Sequence, residues 1–287
     1  EEGVARKPKG PTKWVIPTIG VIWSLFQLSI ASWWILDTIF IRAIHLGFAL
    51  LMVYLNYPVF KETRFGLKFL SIKNRIPPWD FVIAAVACFA AVYIAIDYEG
   101  ISYRYGAPVA RDLIIGLILL FMLLEAARRV IGPALSIIAI FFCLYAFFGP
   151  YMPDVIAFKG VSLGRFMGQI TMSTEGIYGI PLDVSATIVF LFVLFGAMLE
   201  KAGAGHYFIQ LALSLLGGFK GGPAKAAIMG SGLTGLVSGS SIANIVTTGT
   251  FTIPLMKKVG YPAKKAAAVE VAASTDGQLA PPIMGAA

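Results

Sequence analysis

The sequence runs to 287 residues, 58% of them hydrophobic and only 13% charged, with a mean hydropathy of +0.81. Globular domains are nearer half apolar and a quarter charged, so composition excludes a soluble enzyme and points to a membrane protein with several spans. The net charge of +8, from 23 Lys+Arg against 15 Asp+Glu, is spread among connecting segments; it reports loop orientation and excludes a nucleic-acid binder.

The first residues, EEGVARKPKGPTKW, are polar and basic without a cleavage-site pattern, and read as a solvated tail before a first span. Apolar segments follow at about 14–31, 35–57, 79–96 and 112–127, each near the ~20 residues that a crossing needs. A short turn around Ser32–Asp37 makes the first two a helical hairpin. The stretch FKETRFGLKFLSIKNRIPP, rich in Lys and Arg, belongs with the basic N-terminus on the cytoplasmic side. Two further spans return the chain there at Arg128–Arg129, so residues 1–129 read as a four-helix membrane unit. Cys88 and Cys143 lie inside apolar segments with no CxxC or His/Cys cluster, and no disulfide framework is implied.

A span at 131–149 comes next, and 160–180 is amphipathic but too polar to cross, as an interfacial helix would be. Residues 130–182 thus link the first unit to a second, 183–287, which opens with a span at 183–199 and a short apolar helix at 206–217.

From residue 218 the pattern changes. Lys220 and Lys225 precede a short helix, the break SGSS at 238–241, and a second short helix that ends at Lys257–Lys258. Arms of about 14 residues span roughly 21 Å, less than the ~30 Å hydrocarbon core. With lysines at both feet the segment reads as a re-entrant hairpin with SGSS at its tip. The side on which it opens stays undetermined, because the basic feet and the count of alternating spans disagree. A helix from Ala263 then runs into STDGQLAPP, 274–282, where Gly277, Pro281 and Pro282 predict a second break.

Unsatisfied backbone groups are costly in hydrocarbon, so broken helices at membrane depth persist where they line a polar cavity, as in secondary transporters. Ser238, Ser240 and Ser241 supply hydroxyl oxygens, Gly239 permits the turn, and Ser241, Asn244, Thr248 and Thr252 form one polar stripe at helical spacing. Ser274, Thr275, Asp276 and Gln278 add oxygens at the second break. An all-oxygen set suits a hard cation such as Na⁺; a transition metal asks for His or Cys, and 235–282 contains neither. Asp276 is the preferred acid because an ionisable group in a mid-membrane break is a functional candidate by default; Glu270 is kept as a second coupling acid. The competing reading, that small and hydroxylated residues serve close helix packing, applies best to GLTGL, 232–236. Serine-protease chemistry at GSSIA, 239–243, lacks its base: the two histidines are His45 and His206, and neither follows Ser241.

The stretches SGSSIANIVTTGTFTIPLMKKVGY and AAAVEVAASTDGQLAPPIMGAA closely resemble the large membrane subunit of tripartite ATP-independent periplasmic (TRAP) transporters. With RAIHLGFALLMVYLNYP, 42–58, the chain resembles, from about residue 20 onward, the fused permeases of the TAXI branch, in which a four-helix small subunit precedes the large one. The resemblance implies an all-α, polytopic inner-membrane protein of elevator type, importing a carboxylate solute with Na⁺ and fed by a periplasmic substrate-binding protein. It implies no organic cofactor. Carried over, Ser238, Gly239, Ser240, Ser241, Asn244, Ser274, Asp276 and Gly277 would bind Na⁺, while Asn244, Thr248, Thr275, Pro281 and Pro282 would face the substrate. Relatives often carry Gly or Asn where this chain has Asp276, which alters the local charge count. The chain stops in mid-motif at LAPPIMGAA, and only the first inverted repeat of such a transporter is expected within it. The alternatives are a Na⁺/carboxylate elevator symporter that needs no binding protein, and a membrane scaffold in which the breaks serve packing alone.

Overall fold

The computed structural model describes residues 5–6, 8, 10–59, 75–239 and 241–279, and every regular element among them is helical. Five helices are long and apolar enough to cross a bilayer: Thr12–Ser32, Thr38–Asn56, Pro78–Ile96, Pro133–Tyr151 and Ile180–Lys201. The chain is therefore an all-α, polytopic membrane protein. It divides into two compact units, Glu1–Ala186 and Thr187–Ala287.

In the first unit, α1 (Val15–Ser32) and α2 (Thr38–Asn56) are joined by a short turn. Asp37 ends that turn by accepting the Ile39 amide at 2.9 Å, an N-cap that satisfies one of the orphan donors of α2. α3 (Pro78–Ile96) begins on a proline, which has no amide to strand there. Its inward face is built of Ala84, Ala87, Ala91 and Ala95. Small side chains of this kind let helix backbones approach closely in a membrane, and α2 fills the space with Leu46, Leu50 and Tyr54. After α4 (Tyr98–Tyr103), α5 (Ala110–Val130) joins this core, and the Tyr54 hydroxyl donates to its Met122 carbonyl at 2.7 Å. α6 (Pro133–Phe148), α7 (Leu163–Thr171) and α8 (Ile180–Val184) complete the unit.

Charges cluster at the ends of these helices. Arg6, Asp80, Glu125, Arg128 and Arg129 form one group: Arg6 pairs with Asp80, Arg129 reaches Asp80 at 3.6 Å and Glu125 at 2.9 Å, and its guanidinium lies over the Tyr54 ring at 4.6 Å. The N-terminal segment, the end of α2, the start of α3 and the end of α5 thus meet in one place, as the distribution of basic residues predicts. At the other ends of α3 and α5, Arg104 joins Asp97 at 2.7 Å and Asp112 at 3.3 Å, and Arg111 also pairs with Asp97. These charges explain why α5, predicted as a span, is absent from the five: its 21 residues are long enough, but acids and arginines occupy both ends.

One expectation for this unit changes in detail. The amphipathic segment 160–180 is helical only over the nine residues of α7. Beyond it the Ser173 hydroxyl accepts the Glu175 amide at 3.2 Å, a local turn that competes with helix. The chain then buries Tyr178 completely, its hydroxyl donating to Ala91 O at 2.7 Å. Arg42 donates to Asp183 at 2.9 Å and to Tyr178 O at 2.7 Å, while His45 is buried beside Gln27 and Trp23 of α1.

The second unit holds α9 (Phe190–Lys201), α10 (Ala204–Leu216), α11 (Gly222–Ser238), α12 (Ser241–Lys258) and α13 (Ala263–Leu279). α11 and α12 run in opposite directions on either side of Gly239, whose φ of +66° caps α11 while its amide donates to Gly235 O at 2.8 Å. At the open end of the hairpin Ala227, Met256 and Ala266 pack together, bringing in the start of α13. The arms have 17 and 18 residues, longer than the expected 14, and at about 1.5 Å per residue reach roughly 25–27 Å.

The break expected over 274–282 is corrected in its described part, 274–279, which is helix. α13 continues through Ser274, Thr275, Asp276 and Gly277 to Leu279. Thr275 returns its hydroxyl to Val271 O at 2.9 Å, and one glycine costs a helix only about 0.5–1 kcal/mol. Proline disfavours helix chiefly at itself and its predecessor, and Pro281 and Pro282 lie outside the described residues.

The charge clusters yield a test by thermal unfolding of the full-length protein in detergent. Arg129→Ala removes a buried guanidinium from between Asp80 and Glu125 and is expected to cost about 3–5 kcal/mol. Arg111→Ala, removing a side chain that is 57% exposed, is expected to cost at most about 1 kcal/mol. Equal shifts in Tm would contradict this account of what holds the first unit together.

Candidate functional site

The polar stripe predicted on α12 points inward, and what it meets defines the site. Asn244, Thr248 and Thr252 are all buried, as are Glu270 and Ser274 of α13 and Ser231 of α11. On a helix, positions three or four apart share a face. That spacing aligns 244, 248 and 252 on one helix and 270 with 274 on another.

Glu270 is at the centre. The Thr248 hydroxyl donates to one carboxylate oxygen and the Thr252 hydroxyl to the other, both in short contacts, and the Ser274 hydroxyl donates at 3.3 Å. Among the described residues no lysine, arginine or histidine pairs with it. Gly249 allows this approach: a Cβ there would stand 3.3 Å from both Glu270 Cγ and Ile253 Cδ1, tighter than ordinary packing. Each threonine also has a second acceptor one turn back, Asn244 O at 2.8 Å for Thr248 and Thr248 O at 3.0 Å for Thr252.

The network continues towards the hairpin tip. Ser274 Oγ and Ser231 Oγ are 3.0 Å apart, and Asn244 Nδ2 donates to Ser231 Oγ at 3.0 Å and to Ser231 O at 2.8 Å. Thr248 Oγ1 lies 3.5 Å from Ser231 Oγ. Asn244 Oδ1, by contrast, is buried without a hydrogen-bond partner among the described residues. A buried acceptor left unpaired is costly and calls for an explanation. Asn244 also lines a small cleft with Thr234, Thr247 and Glu200, and the Thr247 hydroxyl donates to Glu200 Oε1 at 3.1 Å.

The structure brings together three residues that sequence analysis places in the site, Asn244, Thr248 and Ser274. Gly239 caps the hairpin arm, and Ser241 starts α12 half-buried. Thr275 and Asp276 are exposed on α13, away from the network, and Gly277 is ordinary helix. Ser240, Pro281, Pro282 and the side chain of Ser238 lie outside the described residues. Glu270, second to Asp276 in the sequence reading, is the buried acid. Ser231 was missed altogether; its only signal is a hydroxyl between two glycines of α11.

The donor set consists of hydroxyl, amide and carboxylate oxygens, the chemistry that a hard monovalent cation takes. An amide oxygen already desolvated and unpaired fits such an ion better than any feature of a purely structural cluster.

Comparison with known proteins gives a match over residues 118–287 to the family described as "Tripartite ATP-independent periplasmic transporter, DctM component". The chain is 29% identical over 186 residues to the isethionate TRAP transporter permease protein DctMQ of Oleidesulfovibrio alaskensis, covering 60% of this chain and 28% of that protein. It is 28% identical over 160 residues to the C4-dicarboxylate TRAP transporter large permease protein DctM of Rhodobacter capsulatus, covering 52% and 34%. With the protein of the same description from Vibrio cholerae it shares 35% identity over 91 residues, covering 32% and 20%. The chain thus spans about a third or less of the length of these curated relatives. No solved structure matches.

Removing the shared hydroxyl tests the network. Ser231→Ala leaves Asn244 Nδ2 and Ser274 each short of a partner and is expected to cost about 1–3 kcal/mol. Thr250→Ala, at an exposed hydroxyl that only back-bonds to Thr247 O, is expected to stay within about 0.5 kcal/mol. Thermal unfolding of both variants decides: a neutral Ser231→Ala contradicts the arrangement described.

Proposed function

The chain belongs to the DctM component family of tripartite ATP-independent periplasmic transporters, and from that premise we propose that it forms part of a permease that imports a small carboxylate-bearing solute together with Na⁺. The family is one of transport proteins, not enzymes, and with five apolar helices the chain is a multi-pass protein of the inner membrane.

The observation that carries the reading is the buried oxygen network on the α11–α12 hairpin, with Asn244 Oδ1 desolvated and unpaired. A co-transported Na⁺ would be held by that oxygen and by the hydroxyls of Ser231, Thr248 and Ser274. Helix termini and buried side-chain oxygens at membrane depth serve this role in secondary transporters. The names of two relatives specify isethionate and C4-dicarboxylates, both small organic anions, which supports an anionic solute and, in our reading, a carboxylate.

Residues 1–129 act in this proposal as a small-subunit-like portion fused ahead of the transport portion, in the manner of the TAXI branch. The solute arrives from a periplasmic binding protein, and the hairpin-bearing helices carry it across in an elevator-type movement driven by the Na⁺ gradient. Support for the fused arrangement comes from the resemblance at residues 42–58 and from the compact packing of α2, α3 and α5.

Uptake by the full-length permease in proteoliposomes tests the proposal, using labelled succinate and isethionate, an inward Na⁺ gradient, and the presence or absence of the cognate binding protein. Uptake is expected to require both, and Asn244→Ala is expected to reduce the Na⁺-dependent rate at least tenfold, about 1.4 kcal/mol. Uptake with Na⁺ alone would favour a symporter that needs no binding protein. Equal uptake in K⁺ and Na⁺ would overturn the coupling ion.

A further inference from the structure

At the ends of α3 and α5 away from the Arg6–Asp80 group, Arg104 and Arg111 are matched by Asp97 and Asp112. Glu175, in the turn that follows α7, has no such match: its carboxylate makes no ion pair or hydrogen bond among the described residues. It lines a cavity of about 160 Å³ within the first unit, and no other charged residue among those described does so. One wall comes from α4, which sets Tyr98 and Ser102 four positions apart on one face, with Tyr105 in the turn beyond. Gly100 leaves room for Asp97 and Arg104 on the opposite side, where a Cβ would stand 2.5 Å from Asp97 Oδ1. The facing wall is the turn from Met172 to Glu175. It is held in place by the Ser173 hydroxyl, which donates to Gln169 O at 2.6 Å, and by the Ile177 amide, which donates to Ile170 O at 2.8 Å.

The lining defines a ligand. Its floor is apolar and buried, at Ile94, Ile101 and Met172, while Glu175, Thr174 and Ser102 stand exposed at the rim. The hydroxyls of Thr174 and Ser102 are also without hydrogen bonds among the described residues. A lone carboxylate selects a cation. Hydroxyls accept as well as donate, so the three N–H groups of a primary ammonium find acceptors in Glu175, Thr174 and Ser102. Tyr98 and Tyr105 add ring faces, which attract cations. A quaternary ammonium would leave the hydroxyls unused, and a transition metal would ask for His or Cys, which the cavity lacks. Size agrees, since a cavity of about 150 Å³ takes benzene. The depth is also informative. Ile39, in the first turn of one span, and Ile94, in the last turn of another, line the same cavity. Trp33 and Trp34 precede the first of these ends and Tyr103 and Tyr105 follow the second, all exposed, as aromatic residues are at the level of lipid headgroups.

We propose that this cavity is a binding site for a primary alkylammonium group, with Glu175 as its charge partner and Tyr98 and Tyr105 as its walls. The group arrives as the ethanolamine end of a phospholipid or as a free amine from water, and the recognition chemistry is the same for both. No covalent bond is made or broken. The site belongs to the first unit and does not rest on the transport reading of the second.

Isothermal titration calorimetry on the purified full-length protein in detergent tests the site. The probes are ethanolamine, dihexanoyl-phosphatidylethanolamine, and dihexanoyl-phosphatidylglycerol, which keeps the tails and phosphate but has no amine. Saturable binding of an amine probe is expected, roughly tenfold or more tighter than that of phosphatidylglycerol. Glu175→Gln is expected to weaken it roughly tenfold, and Tyr105→Ala roughly threefold. Tyr103→Ala, at a side chain that is 91% exposed and outside the cavity lining, is expected to leave it unchanged. Ser102→Trp, which fills the cavity from an exposed position, supplies a second loss that does not depend on Glu175 folding correctly as Gln. Ethanolamine binding as tightly as the lipid would assign a free amine, and binding of the lipid alone would assign the headgroup; both uphold the ammonium site. Binding of neither amine, equal binding of the two lipids, or amine binding unchanged in both Glu175→Gln and Ser102→Trp would overturn it.

Discussion

A carboxylate removed from water and received only by hydroxyls sets the terms for the second unit. Glu270 is stable in that position while Thr248, Thr252 and Ser274 remain aimed at it, because a buried acceptor without donors forfeits its full desolvation energy. Those three hydroxyls come from two helices, so satisfying the acid fixes α12 against α13 in rotation and in register. Ser231 extends the constraint to α11. Gly249 makes the approach close enough. The apolar contacts at the open end of the hairpin, Ala227 with Met256 and Ala266, hold the helices together but are non-directional. The polar network supplies the register.

The first unit meets the same constraint differently. There the ionisable groups gather at helix ends and neutralise one another: Arg6 and Arg129 against Asp80, Arg104 and Arg111 against Asp97 and Asp112. Between these clusters α2 and α3 are apolar and small, with alanines letting the backbones close. Paired charges at the ends and small residues between them make a rigid packing unit. In the second unit a buried acid is received by hydroxyls, with no counter-charge among the described residues, and in our proposal this makes a binding unit. The contrast within one chain is the physical ground for assigning transport chemistry to the hairpin helices.

Much of this was legible beforehand. Apolar runs placed α1, α2, α3, α6 and the span Ile180–Lys201 within a few residues, because length and hydropathy alone decide what crosses a bilayer. Gly239 between two polar residues marked the turn of the hairpin, and the spacing of Asn244, Thr248 and Thr252 marked its inward face. What failed depended on context. STDGQLAPP reads as a break, yet Ser274 and Thr275 find partners four residues back, and the helix runs on to Leu279. Asp276 was preferred over Glu270 because it adjoins glycine and the prolines. Which of two acids on one helix is buried depends on which face the neighbouring helices cover, and no local pattern reports that. Ser231 escaped for the same reason: a lone hydroxyl becomes a site residue only through partners 13 and 43 positions away.

The central claim is that this network is an ion-binding core and not a packing device. Equilibrium binding of radiolabelled Na⁺ to the purified full-length protein tests it most directly, with K⁺ as competitor. The account predicts saturable binding that K⁺ does not displace, lost on removal of the unpaired amide in Asn244→Ala and retained in Thr250→Ala. Saturable binding unchanged by Asn244→Ala, or none at all from folded protein, would contradict it.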